Sequence, residues 1–165
     1  MRLEDLDVYR MAMDIGERAW DAAAGWDFFA KDTVGKQLVK AADSVAANIS
    51  EGYGRFHYRE SRHFGYYARG SLYETVTWLR KARRRDLLAA DDYAALRDDI
   101  NTLAKKLNRY ISSIGPTPSV QEVPTRYSGQ ESDAAPAPEE LPLPFADTDP
   151  PTTPASDQSQ MTNGQ

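Results

Sequence analysis

The prolines are confined to one end of this chain. All ten lie between residues 116 and 154, and none occurs in the first 115 residues. Because proline interrupts the hydrogen bonding of a helix, a proline-free stretch of this length can form long helices. The stretch is also rich in Ala, Leu, Arg and Asp, which favours helices over a turn-punctuated β fold. The chain therefore divides at about residue 115.

The charge divides at the same place. Residues 1–115 carry 19 Lys and Arg against 17 Asp and Glu, a net of +2, whereas residues 116–165 carry 1 against 8, a net of −7. The first part fits one domain with one core, since single domains cluster at roughly 100–150 residues. The second part is rich in Pro, Ser, Thr and acids, and it has too little apolar surface to offset the entropy of ordering. We expect residues 116–165 to be a disordered acidic tail.

Several classes of protein are excluded by composition. The chain has no Cys, which rules out disulfides, thiolate zinc sites, iron–sulfur clusters and a cysteine nucleophile. The acids near its start do not match a signal peptide, and no apolar run approaches the roughly 20 residues of a membrane helix. We expect a cytoplasmic protein with no membrane contact, no metal and no cofactor.

Four segments show the period of a helix, with apolar residues at steps of three and four. The clearest is the last, whose stripe is Tyr93, Leu96, Ile100, Leu103, Leu107, Ile111 and Ile114. In chain order, the sequence predicts a helix that stops at Gly25, a second capped by Asp32 or Thr33 and ended by Gly52–Gly54, a third from about His57 to Arg85, and a fourth capped by Asp91 and ended by Gly115. Short connections predict an all-α, antiparallel up-down-up-down four-helix bundle over residues 1–115.

A polar stripe adjoins the apolar face of the second helix, and two polar residues of the third helix could face it. The set is Gln37, Ser44, Asn48, Glu51, Ser71 and Glu74. One interpretation is a small ligand-binding site. The other is a structural hydrogen-bond network that fixes helix register or a subunit contact, and we favour it because a buried amide or carboxylate without a partner is costly.

The third helix also carries a line of arginines and tyrosines at helical spacing. Its members are Arg59, Arg62, Tyr66, Arg69, Tyr73, Arg80 and Arg84, and Arg55 extends the line. Residues 52–85 hold 9 Lys and Arg against 2 Glu, a net of +7. A guanidinium group can bind a phosphate through two parallel hydrogen bonds, and a tyrosine ring can stack on a base. This line of residues therefore predicts nucleic-acid binding.

Two other interpretations of this line stay open. It could be an ordinary solvated face in which arginine stems cover the tyrosines, or it could meet the acidic first helix of a neighbouring subunit. Catalysis is the least favoured function. His57 and His63 are six residues apart, about 240° around a helix, and metal pairs need a spacing of three or four. The chain has neither a phosphate-binding Gly-rich loop nor a nucleophile turn.

Two blocks of sequence resemble a known family. The first is Ala-Ala-Asp-Ser-Val-Ala-Ala-Asn-Ile-Ser-Glu-Gly-Tyr-Gly-Arg at residues 41–55, and the second comprises Glu60, Phe64, Ala68, Gly70, Ser71, Leu72 and Glu74. With the Asp5-Leu6-x-Val8-Tyr9 opening, they resemble the small bacterial four-helix-bundle proteins encoded in intervening sequences of large-subunit ribosomal RNA genes. The resemblance covers about residues 3–114.

The resemblance implies an antiparallel bundle that assembles into a ring of about five identical subunits. A distant branch is similar to the accessory variability determinant protein of diversity-generating retroelements, a basic pentamer that engages a reverse transcriptase and its RNA. We therefore expect a non-enzymatic oligomeric adaptor or scaffold with nucleic acid, above all RNA, as its leading partner and a reverse transcriptase as a candidate protein partner. The alternative is a protein–protein interaction ring that binds no nucleic acid.

Overall fold

The computed structural model describes residues 2–115 and 143–145, and these residues contain helices and no strand. The elements are a 3-10 turn (Leu3–Asp5), α1 (Asp7–Ala24), α2 (Phe28–Ala30), a π-helical segment (Lys31–Gly35), α3 (Lys36–Tyr53), α4 (Tyr58–Arg84) and α5 (Ala90–Ser113). Four of them are long, which confirms the all-α, four-helix prediction. The up-down order of the helices stays a prediction.

Each long helix contributes an apolar face to one core. The α5 stripe is buried from Leu96 to Ile111, as its spacing predicts, and only its two ends, Tyr93 and Ile114, are partly exposed. α1 packs on α3, α3 on α4, α4 on α5 and α5 on α1, so the four faces enclose a common interior. No helix in the described residues is long and apolar enough to cross a membrane.

The second predicted helix corresponds to α2, the π-helical segment and α3, which follow one another without a break. It starts earlier than the sequence pattern predicts. Asp27 is the cap, because its Oδ1 accepts a hydrogen bond from the Ala30 amide at 3.0 Å. Asp32 instead pairs with Lys36 at 2.9 Å, and the Thr33 hydroxyl donates to a carbonyl one turn back. The predicted caps at Asp32 and Thr33 are therefore wrong. The sequence conceals this start because the large apolar residues of the first turn, Phe28 and Phe29, are solvent-exposed, and the buried residue there is the small Ala30.

The fourth helix also begins one residue before its predicted cap. Ala89 occupies the N-cap position and Asp91 lies within the first turn of α5. An acid in that turn still complements the positive end of the helix dipole. Asp91 therefore favours the helix start through charge and does not cap it.

Small residues set the spacing between helices. A Cβ on Gly65 would lie 2.7 Å from Cγ1 of Ile111, so α4 and α5 touch at a point where only hydrogen fits. Gly52 holds α3 equally close to α4, since a Cβ there would lie 2.9 Å from Cβ of Phe64. In the Ala-rich face of α3, Ala42 and Ala46 are buried, as expected for close helix contact.

One short piece of the predicted tail packs against the bundle. Phe145 is only 5% exposed and belongs to the apolar core cluster. The expectation of disorder therefore does not describe residues 143–145, which form part of the most apolar run of the tail, Leu-Pro-Leu-Pro-Phe. The rest of that expectation, for residues 116–142 and 146–165, lies outside the described residues.

Candidate nucleic-acid interface

The arginine and tyrosine line predicted for the third helix lies on one flank of α4. The buried face of α4 includes Ala68, Leu72 and Leu79, and it packs against α3 and α5. At 100° per residue, the line is centred about 120° around the helix from that face. It therefore lies at the edge of the bundle, on the side where α4 meets α5. We call its seven α4 residues together with Arg55 the basic face.

The basic face is most open at Arg59, Tyr73 and Arg84, which are exposed. Arg69 is half-buried, and its guanidinium lies 5.1 Å from the ring centroid of Tyr66 in a cation–π contact. Among the described residues, no carboxylate pairs with Arg59, Arg69 or Arg84. Their charges are not neutralised within this part of the chain.

Arg55 lies in the connection before α4 and has partners of its own. It forms an ion pair with Glu51 one turn back on α3, and its guanidinium lies 4.6 Å from the ring centroid of Phe64. The pair is exposed, so its net contribution to stability is small and the guanidinium stays within reach of an incoming anion.

Arg62 and Arg80 support the fold as well as the basic face. Nε of Arg62 donates to the Ile114 carbonyl at 3.1 Å, and its Nη2 contacts the same oxygen. A cation at the end of α5 satisfies an orphan carbonyl and complements the helix dipole. Arg80 donates to the Pro144 carbonyl at 3.4 Å and lies 5.1 Å from the ring centroid of Phe145.

The predicted polar network divides into three parts. Nδ2 of Asn48 donates to the Ser44 carbonyl at 2.8 Å within α3 and to the Ser71 hydroxyl at 3.3 Å on α4, so these three residues link the two helices. Exposed Glu51 pairs with Arg55, and exposed Glu74 accepts from Trp78 Nε1 at 3.4 Å. Gln37 is half-buried nearer the start of α3. The described residues contain no cluster of three metal-ligating side chains.

Sequence reasoning missed a groove between α4 and α5. Tyr93 and Asn101 of α5 line it together with Arg80, and Phe145 occupies it. The apolar Leu-Pro-Leu-Pro-Phe run was the available signal, because it interrupts an otherwise polar, acidic segment. Tyr93 belonged to the core stripe in the sequence, where helical period alone cannot distinguish a core position from a groove lining.

Residues 4–109 match the model of the 23S rRNA-intervening sequence protein family. The matched residues make up well over half of the chain. The chain belongs to this family. The match includes α4 and the groove residues Arg80, Tyr93 and Asn101, and it ends before the docked segment 143–145. The link to the retroelement branch remains an expectation.

A solved structure has the same fold. It is the crystal structure of a protein of unknown function from the S23 ribosomal protein family of Bacteroides thetaiotaomicron. The two sequences are 19% identical, the TM-score is 0.58, and the match covers 64% of this chain and 99% of the other. At that identity the likeness shows the fold alone. No curated protein matches the chain.

Proposed function

We propose that this protein is a non-enzymatic adaptor that binds RNA through the basic face of α4. The observation that carries the proposal is the set of arginines Arg59, Arg69 and Arg84, which lie on one flank without a carboxylate partner among the described residues. Arg59 and Arg84 are about 38 Å apart at 1.5 Å per residue, a span of several nucleotides. Membership of a family named for ribosomal RNA intervening sequences makes RNA the leading choice of nucleic acid.

The tyrosines add a sequence-tolerant contact. Tyr73 is 36% exposed on the same flank as the arginines. An aromatic ring beside arginines provides a stacking surface for an unpaired base, while the arginines bind the flanking phosphates. We therefore propose single-stranded RNA as the preferred form.

We also propose that the adaptor is a homo-oligomer of about five subunits. Large aromatic side chains are exposed on the bundle, and an apolar surface of this kind marks contacts between proteins. The most exposed are Trp20 (61%), Phe28 (85%), Phe29 (76%) and Phe56 (91%). A reverse transcriptase as protein partner is a further proposal, which rests on the sequence resemblance alone and is tested by co-purification of the two chains.

A second candidate function is a protein–protein interaction ring in which the basic face lies between subunits. The exposed acids Asp14, Glu17 and Asp21 of α1 favour it, because they offer a complementary surface on every subunit. In that case the arginines would stabilise the ring and would not be available to phosphates.

The test is fluorescence anisotropy of a labelled single-stranded RNA across a salt series. We compare the full chain with Arg59→Ala/Arg84→Ala and with a control of equal charge change, Lys31→Ala/Lys40→Ala, whose exposed lysines line a groove between α1 and α3. Loss of two phosphate contacts should weaken binding several-fold at low salt and reduce the slope of log affinity against log salt by about 1.4. The control should have a much smaller effect.

Two results would contradict RNA binding by the basic face. One is equal affinity of the two double variants, and the other is no binding by the unaltered chain at low salt. If Arg59→Ala/Arg84→Ala also lowers the mass found by sedimentation equilibrium, the second candidate is supported, because the arginines then join subunits.

A further inference from the structure

The segment Leu143–Phe145 contacts the bundle through its side chains. The Phe145 ring meets Tyr93 edge to face, with ring centroids 6.0 Å apart and an interplanar angle of 90°. The guanidinium of Arg80, which belongs to α4, lies 5.1 Å from the centroid of the Phe145 ring. Edge-to-face aromatic pairs and cation–π contacts both add to the stabilisation from apolar burial. Phe145 is thus the anchor of the segment.

The groove also contacts the main chain of the segment. The Phe145 amide donates to Asn101 Oδ1 at 3.3 Å, and Arg80 donates to the Pro144 carbonyl at 3.4 Å. One donor and one acceptor on consecutive residues fix the direction of the peptide. Pro144 restricts its own backbone, which lowers the entropy lost when the segment binds. Aromatic-lined grooves are one established way in which proteins bind short proline-containing peptides.

The residues that connect α5 to the segment are numerous enough for the segment to reach the groove of its own chain. Along α5, Asn101 and Gly115 are 14 residues apart, about 21 Å at 1.5 Å per residue. The 27 residues between Gly115 and Leu143 can span several times that distance. A tethered ligand of this kind has an effective concentration in the millimolar range, so even a weak site stays occupied.

We propose that the groove lined by Arg80, Tyr93 and Asn101 is a peptide-binding site whose ligand is the Leu143-Pro144-Phe145 segment of this chain. The site recognises phenylalanine preceded by proline, and the segment leaves and re-enters it without unfolding the bundle, since it is not part of any helix. The proposal does not depend on RNA binding. It assigns to the tail a role as a tethered ligand.

The test measures binding of the segment as a separate labelled peptide. A peptide of residues 139–149 is titrated by fluorescence anisotropy with the full chain and with the full chain carrying Phe145→Ala, in which the groove has lost its tethered anchor. We expect the peptide to bind the variant and to bind the unaltered chain at least tenfold more weakly, because the tethered segment competes. A peptide in which Phe145 is replaced by alanine should not bind.

Groove variants show where the peptide binds. In the Phe145→Ala background, Tyr93→Ala and, separately, Asn101→Ala should each weaken binding of the peptide at least several-fold. Tyr67→Ala is the matched control, because this tyrosine is exposed on α4 and has no contact with the segment. Circular dichroism melts verify that each variant is folded, and Asn101→Ala remains informative if Tyr93→Ala unfolds.

Three outcomes would overturn the proposal. They are no peptide binding to the Phe145→Ala chain at millimolar concentration, equal binding to that chain and to the unaltered one, and binding that none of the folded groove variants changes. Each can occur whether or not the protein binds RNA, so failure here is separate from failure of the proposed function.

Discussion

At the scale of single residues, two glycines of α4 differ in the space around them. A Cβ on Gly65 would lie 2.7 Å from Ile111, whereas a Cβ on Gly70 meets nothing within 4 Å. We expect Gly65→Ala to lower the free energy of unfolding by about 1–3 kcal/mol through overpacking. Gly70→Ala should raise it by about 0.5–1 kcal/mol, because alanine loses less backbone entropy in a helix. Urea unfolding followed by circular dichroism at one fixed protein concentration measures both.

The two variants make the same chemical change in the same helix, so they control for each other. Destabilisation of similar size in both would show that helix propensity or an assembly contact at Gly70 matters more than the distance between α4 and α5. Stabilisation by Gly65→Ala would contradict the close approach itself.

At the same scale, Asn48 joins α3 to α4 through hydrogen bonds. It bridges the Ser44 carbonyl and the Ser71 hydroxyl from a half-buried position. Asn48→Leu should lower the free energy of unfolding by roughly 1–3 kcal/mol, because partly buried partners lose a hydrogen bond. If the network only joins α3 to α4, as its hydrogen bonds indicate, RNA affinity should not change. A double-mutant cycle with Ser71→Ala measures how much of the loss belongs to the bond between α3 and α4. Unchanged stability with lost binding would mean that the stripe is a ligand site.

Residue roles were less predictable from sequence than residue positions. The periodic line on α4 was visible, but its spacing cannot show that Arg62 reaches the end of α5 or that Arg80 covers Phe145. Both partners are distant in sequence and come together only through packing. An arginine on a helical flank can bind a phosphate, a carbonyl or a ring, and the tertiary neighbours decide which.

At the scale of elements, the buried faces of the helices and the start of α4 near His57 were predictable, whereas the start before α3 was not. The stripe of α5 specifies its buried face because helical period and core burial coincide there. The start before α3 combines a cap at Asp27, two exposed phenylalanines and a π-helical segment, and the exposed phenylalanines hide the small buried residue of the first turn, Ala30. Local capping geometry decided the boundary over Asp32 and Thr33, which have equally suitable side chains.

One ion pair between α1 and α5, Asp7 with Lys106, depends on pH. Lys106 donates a hydrogen bond to Asp7 at 3.3 Å, and this bond, the charge of Lys106 and the nearby Arg10 hold the pKa of Asp7 below its ordinary 3.8. Because the folded pKa is the lower one, the contribution of Asp7 to stability is present above about pH 4 and is lost as pH falls through the folded pKa. A carbon-detected NMR titration should place the Asp7 midpoint below 3.8.

Lys106→Met should move that midpoint up towards 3.8. Lys105→Met is the control, because this neighbouring lysine is exposed and has no contact with Asp7. The stability change is small, since the pair is exposed and screened by salt. A midpoint that does not respond to Lys106→Met would show that the two side chains do not meet in solution.

At the scale of the whole molecule, the basic face and the tail have opposite charge. Residues 52–85 have a net charge of +7 and residues 116–165 a net charge of −7. The docked Phe145 places part of that tail on Arg80, a member of the basic face. If the basic face binds RNA, as proposed, the tail weakens binding in two ways, by a local contact on Arg80 and by its overall negative charge.

These two effects can be separated. Phe145→Ala in the full chain releases Arg80 while keeping the charge, and we expect it to tighten RNA binding by about two- to threefold, since exposed contacts contribute little individually. Deleting residues 116–165 should tighten binding further. The additional gain should shrink as salt rises, because charges are screened beyond about 8 Å at physiological ionic strength. Anisotropy of the labelled RNA at two salt concentrations measures each step.

The decisive comparison repeats Phe145→Ala in an Arg80→Ala background. There the substitution should have no effect on RNA affinity, because the guanidinium that Phe145 covers is absent, and the non-additivity isolates the local contact. The tail deletion should still tighten binding in that background through its charge. Equal tightening by Phe145→Ala with and without Arg80 would show that the segment does not act through Arg80, and an unchanged affinity after the deletion would show that the tail charge does not reach the basic face.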